Sequence, residues 1–170
     1  MSEAQAREMA AGYDLHAAWR RDDARYEADA IAFWERLSLL PKGVDPAVRA
    51  TELAAVAYKD GELVAVSTLA IGRLEQVGAR IAMLRAATDP GHRRAHLANA
   101  LSIFTRETIE AWAKAHPEER IGGMGAVIES EHLRGREKEP VWPTSKMALI
   151  GRTPKGQQLR LYWFPDFRLD

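Results

Sequence analysis

Apolar residues recur with two different periods along this chain, and the changes of period separate predicted helices from predicted strands. A helical spacing of three and four residues runs from Asp22 to Leu37 and again from about Arg94 to about Lys114. Strand-like patterns occupy Tyr13–Trp19, Glu52–Lys59, Glu62–Ile71, Ala79–Thr88, Ile121–Ile128, Lys146–Arg152 and Gln157–Phe164. The predicted order of elements is therefore β, α, β, β, β, α, β, an irregular segment, β, β.

Turn residues join neighbouring predicted strands into hairpins at two places. Asp60-Gly61 is a favoured pair for a tight turn, and Thr153–Gly156 connects the last two strands. Between these hairpins, the strands Ala79–Thr88 and Ile121–Ile128 enclose a helix, so they should be parallel with a right-handed crossover. We therefore predict an α/β (α+β) fold: a mixed, mostly antiparallel twisted sheet with a central parallel β-α-β unit and flanking helices.

Size and composition restrict the class of protein. The chain has 170 residues, 46% of them hydrophobic, which predicts one folded domain over residues 13–170 after an N-terminal segment at 1–12. The 24 basic and 24 acidic residues cancel, which argues against nucleic acid or an anionic membrane as a partner. No cysteine is present, so thiol chemistry is excluded. The N-terminus lacks the apolar core of a signal peptide and no apolar run could span a bilayer, so we expect a cytoplasmic protein.

A basic loop connects the central strand to the following helix. Its sequence, Thr88–Leu101, is TDPGHRRAHLANAL, and it places two arginines and two histidines at the start of the helix. Unpaired backbone N–H groups and the positive end of the helix dipole favour an anion there, which predicts a phosphate site. His92 and His96 could share a helix face as zinc ligands. However, Arg93 would repel a cation, so we expect no metal.

The order of elements and this loop together resemble the GCN5-related N-acetyltransferase (GNAT) superfamily. That family's phosphate loop reads Arg/Gln-x-x-Gly-x-Gly/Ala and follows a strand that ends in a Val-x-Pro-like step. Thr88-Asp89-Pro90 stands at the step, Arg93–Ala98 at the loop, and Asn99-Ala100-Leu101 suits the start of the helix. The resemblance extends over about residues 13–164 in element order, and over Thr88–Leu101 in residue detail.

The resemblance implies that acetyl-CoA, or another acyl-CoA, is a co-substrate and that its acyl group passes to a primary amine by direct attack. The loop amides and the helix N-terminus would hold the pyrophosphate, and the preceding strand would pair with pantetheine where it splays from the next strand. The residues implied are Ala86, Thr88, Arg93, Arg94, Ala95, His96, Leu97, Ala98 and Asn99. The alternative is a non-catalytic GNAT-fold binding or scaffold protein that has lost coenzyme A binding or turnover.

Two features of the sequence bear on this site. Gly122, Gly123 and Gly125 lie on the strand next to the loop's strand, where glycine permits a bulge or a close backbone approach. His96 stands where the family pattern has glycine. It could keep an ordinary backbone conformation and turn outward, donate to phosphate itself, or block the site.

Acyl transfer to an amine also needs a base for the ammonium proton and an acid for the departing thiolate. Glu129 and His132 follow the Ile121–Ile128 strand, where a cleft would open, and Tyr162 lies in the last strand. Each also has an ordinary interpretation, as a solvated acid, a surface histidine or a half-buried strand tyrosine. The family's usual tyrosine acid has no local match, because no tyrosine occurs between Tyr58 and Tyr162. The acceptor could be a small-molecule amine, a peptide N-terminus or a lysine, and the sequence also allows a homodimer.

Overall fold

The computed structural model describes residues 2–129 and 138–170. Within them, a seven-stranded sheet is flanked by four α-helices. The strands are β1 (Asp14–Ala17), β2 (Leu53–Lys59), β3 (Glu62–Leu74), β4 (Ala79–Thr88), β5 (Ile121–Ile128), β6 (Ala148–Arg152) and β7 (Gln158–Trp163). The helices are α1 (Glu3–Met9), α2 (Ala24–Leu37), α3 (Pro46–Ala50) and α4 (Leu97–Ala115). Short 3-10 helices at Pro90–Ala95 and Pro117–Glu119 flank α4.

The sheet has the predicted mixed topology. Its strand order is β1-β2-β3-β4-β5-β7-β6, and β4 and β5 pair in parallel while the remaining neighbours pair antiparallel. Helix α4 makes the crossover between the two parallel strands, as the central β-α-β unit requires. The fold class predicted from the hydrophobic pattern is therefore confirmed.

Several element boundaries differ from the prediction by one to three residues, and three of these differences have a local reason. Helix α4 begins at Leu97 rather than near Arg94 because Pro90–Ala95 forms a 3-10 helix. Strand β1 ends at Ala17 rather than Trp19, because Ala18 and Trp19 both donate to the same carbonyl, that of Ala54. Strand β3 continues past Ile71 to Leu74, because its last residues pair with the start of β4.

Helices cover both faces of the sheet. Leu97 and Leu101 of α4 pack against Ala55 and Ala65, and small side chains on β2 and β3 let this helix lie close to the sheet. On the opposite face, Phe33 of α2 and its neighbours pack against the outer side of the same two strands. No described helix is both long and apolar enough to cross a membrane. The two faces of β4 consequently have different surroundings, which matters for the site.

Candidate active site

Strands β4 and β5 part from each other halfway along their length. Parallel pairing joins Arg80–Met83 to Ile121–Gly125, and in the described residues it extends no further. Beyond that point, Leu84–Thr88 remains paired only with β3, and Ala126–Ile128 only with β7. A V-shaped opening, here called the β4–β5 cleft, therefore forms in the middle of the sheet.

The backbone groups of Ala86 and Thr88 lie on the edge of β4 that faces this cleft. The amide of Asp89 donates to the carbonyl of Val64 on β3 at 2.8 Å, so the backbone groups of Asp89 point toward β3. Successive residues of a strand direct these groups to opposite edges, so Ala86 and Thr88 direct theirs toward β5. Ala86 is exposed, although α4 covers this face farther down the strand. The edge is therefore open to a ligand at the position implied for pantetheine.

Glycines of β5 allow the strands to pack closely in the closed half of the cleft. A Cβ at Gly123 would lie 2.3 Å from the carbonyl oxygen of Tyr162, and one at Gly125 would lie 2.9 Å from Sδ of Met83. The β4–β5 register shifts by one residue at Gly122. The predicted bulge and close backbone approach are both present, and they place β5 directly against its two neighbours.

The loop after β4 is anchored from two sides. Asp89 caps its 3-10 helix by accepting from the amide of Gly91 at 2.9 Å, and it also accepts from the Arg36 guanidinium of α2 at 3.1 Å. The hydroxyl of Tyr13, just before β1, lies 3.0 Å from Nδ1 of His92. Contacts from α2 and the N-terminal part of the chain thus hold the loop in place.

We expect the stabilising effect of Asp89 to depend on pH. The hydrogen bond from the Gly91 amide holds the pKa of Asp89 below its usual value, with Arg36 contributing in the same direction. The stabilisation should therefore be complete above the unfolded pKa of about 3.9 and be lost as pH falls through the lower folded pKa. Urea unfolding should show Asp89→Asn less stable than wild type at pH 7 by about 1 kcal/mol, with the difference shrinking near pH 3. Asp14→Asn, at an exposed strand position, is the control; an equal change there would contradict the assignment.

His96 holds the backbone conformation that a glycine would adopt. Its φ of 53° and ψ of 22° lie in the left-handed region, which a histidine enters more readily than most non-glycine residues. The ordinary conformation considered from the sequence is therefore not the one observed. Its side chain is exposed, and its carbonyl accepts from the amides of Asn99 and Ala100 at the start of α4.

The N-terminus of α4 has no side-chain cap. The His96 side chain forms no capping hydrogen bond, and the amides of Leu97 and Ala98 precede those of Asn99 and Ala100, which donate to the His96 carbonyl. Leu97 is buried, Ala98 is exposed and Asn99 is half-buried. Such an end favours an anion, in line with the predicted phosphate site.

The basic side chains of the loop are described only in part. Arg93 is exposed beside the start of α4. The predicted side chains at Arg94 and Ala95 lie outside the part of the chain whose side chains are described, and the candidate His132 lies outside the described residues altogether. In the part that is described, no group of three or more His, Asp or Glu residues is arranged to hold a metal ion.

The structure places Glu129 and Tyr162 at different levels of the cleft. Glu129 is exposed directly after β5, at the open end. Tyr162 is half-buried and pairs with Met124, beside the last β4–β5 contacts, and the Arg106 guanidinium lies 4.7 Å from the centre of its ring. Met124 and Ile128 are four residues apart, roughly 13 Å along a strand. The two candidates are therefore not brought together as a pair.

A fully buried arginine, which the sequence did not single out as functional, lies on β7, on the far side of β5 from the cleft. Arg160 of β7 has no exposed surface and donates to Oε1 of Gln158 and to the carbonyl of Glu139, both at 2.8 Å. Its guanidinium also lies 4.0 Å from the centre of the Trp142 ring. The irregular segment before β6 is thus tied to the sheet by polar contacts.

An ion cluster on the other face of β4 was also missed. Oε2 of Glu52 lies 3.5 Å from Nε of Arg49 and 3.4 Å from a terminal nitrogen of Arg85. Burial lowers the pKa of the Arg49 guanidinium, and the nearby Arg85 charge lowers it further. Arg49 and Glu52 are three residues apart, but Arg85 comes from β4, so no local sequence pattern joins all three.

A small cavity lies elsewhere in the fold. It has a volume of about 100 Å³ and lies between the start of α2 and the end of α3, with Tyr26 and Thr51 among its lining residues. Arg20 and Asp22, which also line it, have positive φ angles. It adjoins the ends of β1 and β2, whereas the β4–β5 cleft lies beyond β3, so the two are separate.

Comparison with known proteins identifies solved structures that share this architecture. No family model matches the sequence, and no curated protein matches it. Among solved structures, the ribosomal-protein-S5-alanine acetyltransferase from Vibrio fischeri matches with a TM-score of 0.62 and 10% identity, over 93% of this chain and 96% of that one. A GNAT-family acetyltransferase from Streptococcus pneumoniae matches with a TM-score of 0.57 and 13% identity, over 89% and 99%.

A third structure was determined with a ligand. It is a putative acetyltransferase from Salmonella typhimurium with its cofactor acetyl-CoA, and it matches with a TM-score of 0.57 and 12% identity, over 93% of this chain and 97% of that one. At these identities the likeness is one of architecture, and it covers nearly the whole chain in each case. This chain therefore has the fold of the GCN5-related N-acetyltransferase superfamily.

Proposed function

We propose that this protein is an acyl-CoA-dependent N-acyltransferase, which most simply transfers acetyl from acetyl-CoA to a primary amine by direct attack. The observation that carries the proposal is the open β4–β5 cleft, whose unpaired strand edge leads directly to the uncapped start of α4. Unpaired strand edges in the centre of a sheet leave backbone N–H and C=O groups available to a ligand, and an extended pantetheine arm can pair with them. We further propose that residues 13–170 form the acyltransferase domain and 1–12 an N-terminal segment.

The residues present fit an acyl-CoA in charge and in backbone geometry. The backbone groups of Ala86 and Thr88 can pair with the amides of an extended pantetheine arm. The pyrophosphate would lie at the start of α4 and its loop, which comprise Arg93, Arg94, Ala95, His96, Leu97, Ala98 and Asn99. When bound, the co-substrate supplies an activated thioester carbonyl.

Separate residues would handle the two protons of the reaction. Glu129, exposed at the open end of the cleft, is suited to accept a proton from an arriving ammonium group, and His132 is the alternative base. Tyr162 lies beside the closed end and is our candidate donor to the departing thiolate. The Arg106 guanidinium over its ring fixes the orientation of this tyrosine.

Titration with acetyl-CoA tests the proposal. Thermal unfolding at a ligand concentration about 100 times the dissociation constant should show a gain of roughly 2.7 kcal/mol in stability. Arg93→Ala should weaken binding because it removes a positive charge beside the anion end, whereas Arg152→Ala, at the exposed end of β6, should not.

Two other outcomes would change the conclusion. No stabilisation by millimolar acetyl-CoA would contradict both the cofactor and the enzymatic assignment. Binding without thiol release across a broad panel of amines would instead favour a non-catalytic protein that keeps the fold and the ligand.

A further inference from the structure

We infer that the acceptor amine of this protein carries a carboxylate or similar anionic group, and that Arg85 recognises it. This inference rests on the proposed function and specifies the substrate class of the same site. It is carried by the Arg49–Glu52–Arg85 cluster, whose Arg85 lies on β4 at the level where the β4–β5 cleft begins to open.

Arg85 lies at the entrance to the cleft on the face opposite to Ala86. It is the second residue after Met83, the last residue of β4 that pairs with β5. Side chains alternate along a strand, and Ala87 packs against the core beneath α2, so Arg85 lies on that same face. Its side chain is 41% exposed. The guanidinium contacts Glu52, the residue before β2, so it lies over β3 to one side of the cleft. An acceptor that enters from the α2 face can therefore place an anionic group against this guanidinium while its amine extends toward the cleft.

The charge of the cluster is not balanced. One carboxylate, that of Glu52, lies within 3.5 Å of two guanidinium groups, which leaves a net charge of +1. Arg49 and Glu52 are less exposed than Arg85, with 17% and 32% of their side chains accessible. The inner pair thus holds the outer arginine in place, and the surplus positive charge is the one that solvent or a ligand can reach. A carboxylate placed there would form a charge-assisted pair with a guanidinium that is already oriented.

The proposed anion site of acyl-CoA does not account for this charge. The loop and the N-terminus of α4 lie past the end of β4, and the Ala86 edge beside them opens on the α4 face. Arg85 belongs to the other face, where Met83, two residues before it on the same strand, is apolar and half-buried. The α2 face is therefore available to the acceptor, and we expect its surplus positive charge to favour acceptors that carry a negative charge.

Matched pairs of amines test the inference. Suitable probes are L-leucine with L-leucinamide, β-alanine with β-alaninamide, and an aspartate-containing tripeptide amide with its asparagine counterpart. With acetyl-CoA present, thiol release measures kcat/KM for each amine. In the pair that contains the better substrate, kcat/KM should be about tenfold or more higher for the acid than for its amide. Arg85→Gln should reduce that ratio to near one, Arg85→Lys should retain part of it, and Arg73→Gln, at an exposed position at the far end of β3, should leave it unchanged.

Binding without acetyl-CoA separates this inference from the proposed function. The acids should raise the Tm of wild type more than their amides do, and Arg85→Gln, checked for folding by circular dichroism, should lose that difference. Such a result would support the anion site even if acetyl-CoA itself did not bind, in which case the proposed function alone would fail. Equal effects of acids and amides, or a preference that survives in Arg85→Gln, would overturn the inference even if acetyl-CoA did bind.

Discussion

Replacement of Ala86 by tryptophan is expected to weaken acetyl-CoA binding strongly and to leave the sheet folded. Ala86 is exposed on the unpaired edge of β4, so the larger side chain meets no packed core. An indole there would fill the space beside β4 and cover the backbone groups that Ala86 and Thr88 direct into the cleft. We expect affinity to fall at least about 100-fold, equivalent to about 2.7 kcal/mol.

Calorimetric titration of Ala86→Trp with acetyl-CoA measures this effect. Gly72→Trp is a matched control, because Gly72 is also an exposed strand residue and a Cβ there meets no atom within 4 Å. It lies opposite Ile81 in the closed half of the sheet, so binding should persist. Wild-type affinity in Ala86→Trp would mean that the ligand does not run along this edge.

The parts of the fold that local patterns determine could be predicted closely. The bounds of β4 and β5 were predicted to the residue, because both are apolar runs that end at strong breaks. The start of α4 was predicted too early, because a 3-10 helix is fixed by the side chain of Asp89 and by Arg36, which is distant in sequence. Periodicity cannot report a contact of that kind.

The candidate site likewise has features that the sequence predicts and features that it does not. The edge of β4 on which Ala86 and Thr88 lie depends only on the alternation of a strand and on where its partner leaves, so it could be predicted, while their contact with a ligand stays a prediction. The Arg49–Glu52–Arg85 cluster forms because residues before and on separate strands lie together in the fold. The pattern of a single sequence does not show which of these residues come into contact. The conformation of His96 could not be predicted either, because histidine only rarely adopts a left-handed backbone.

The two faces of β4 therefore take different parts in the proposed reaction. Ala86 opens toward the α4 face and the anion-favouring loop, and Arg85 lies on the α2 face with its surplus positive charge. Two reactants that approach from opposite faces can meet only where β4 and β5 diverge. The position of that point depends on how closely β5 packs against β4 and β7, and the glycines of β5 permit this close packing.

Gly123→Ala is accordingly expected to destabilise the protein by about 3 kcal/mol, because the new Cβ would lie 2.3 Å from the backbone oxygen of Tyr162. A backbone atom cannot turn aside as a flexible side chain can, so β5 must shift away from β7. Urea unfolding at constant pH measures the loss. Gly151→Ala in β6 is the control, since its Cβ would meet no atom within 4 Å, and it should change stability by no more than about 0.5 kcal/mol. Equal losses of stability for the two substitutions would show that β5 can accommodate the added Cβ. The close approach of Gly123 would then not determine where β4 and β5 diverge.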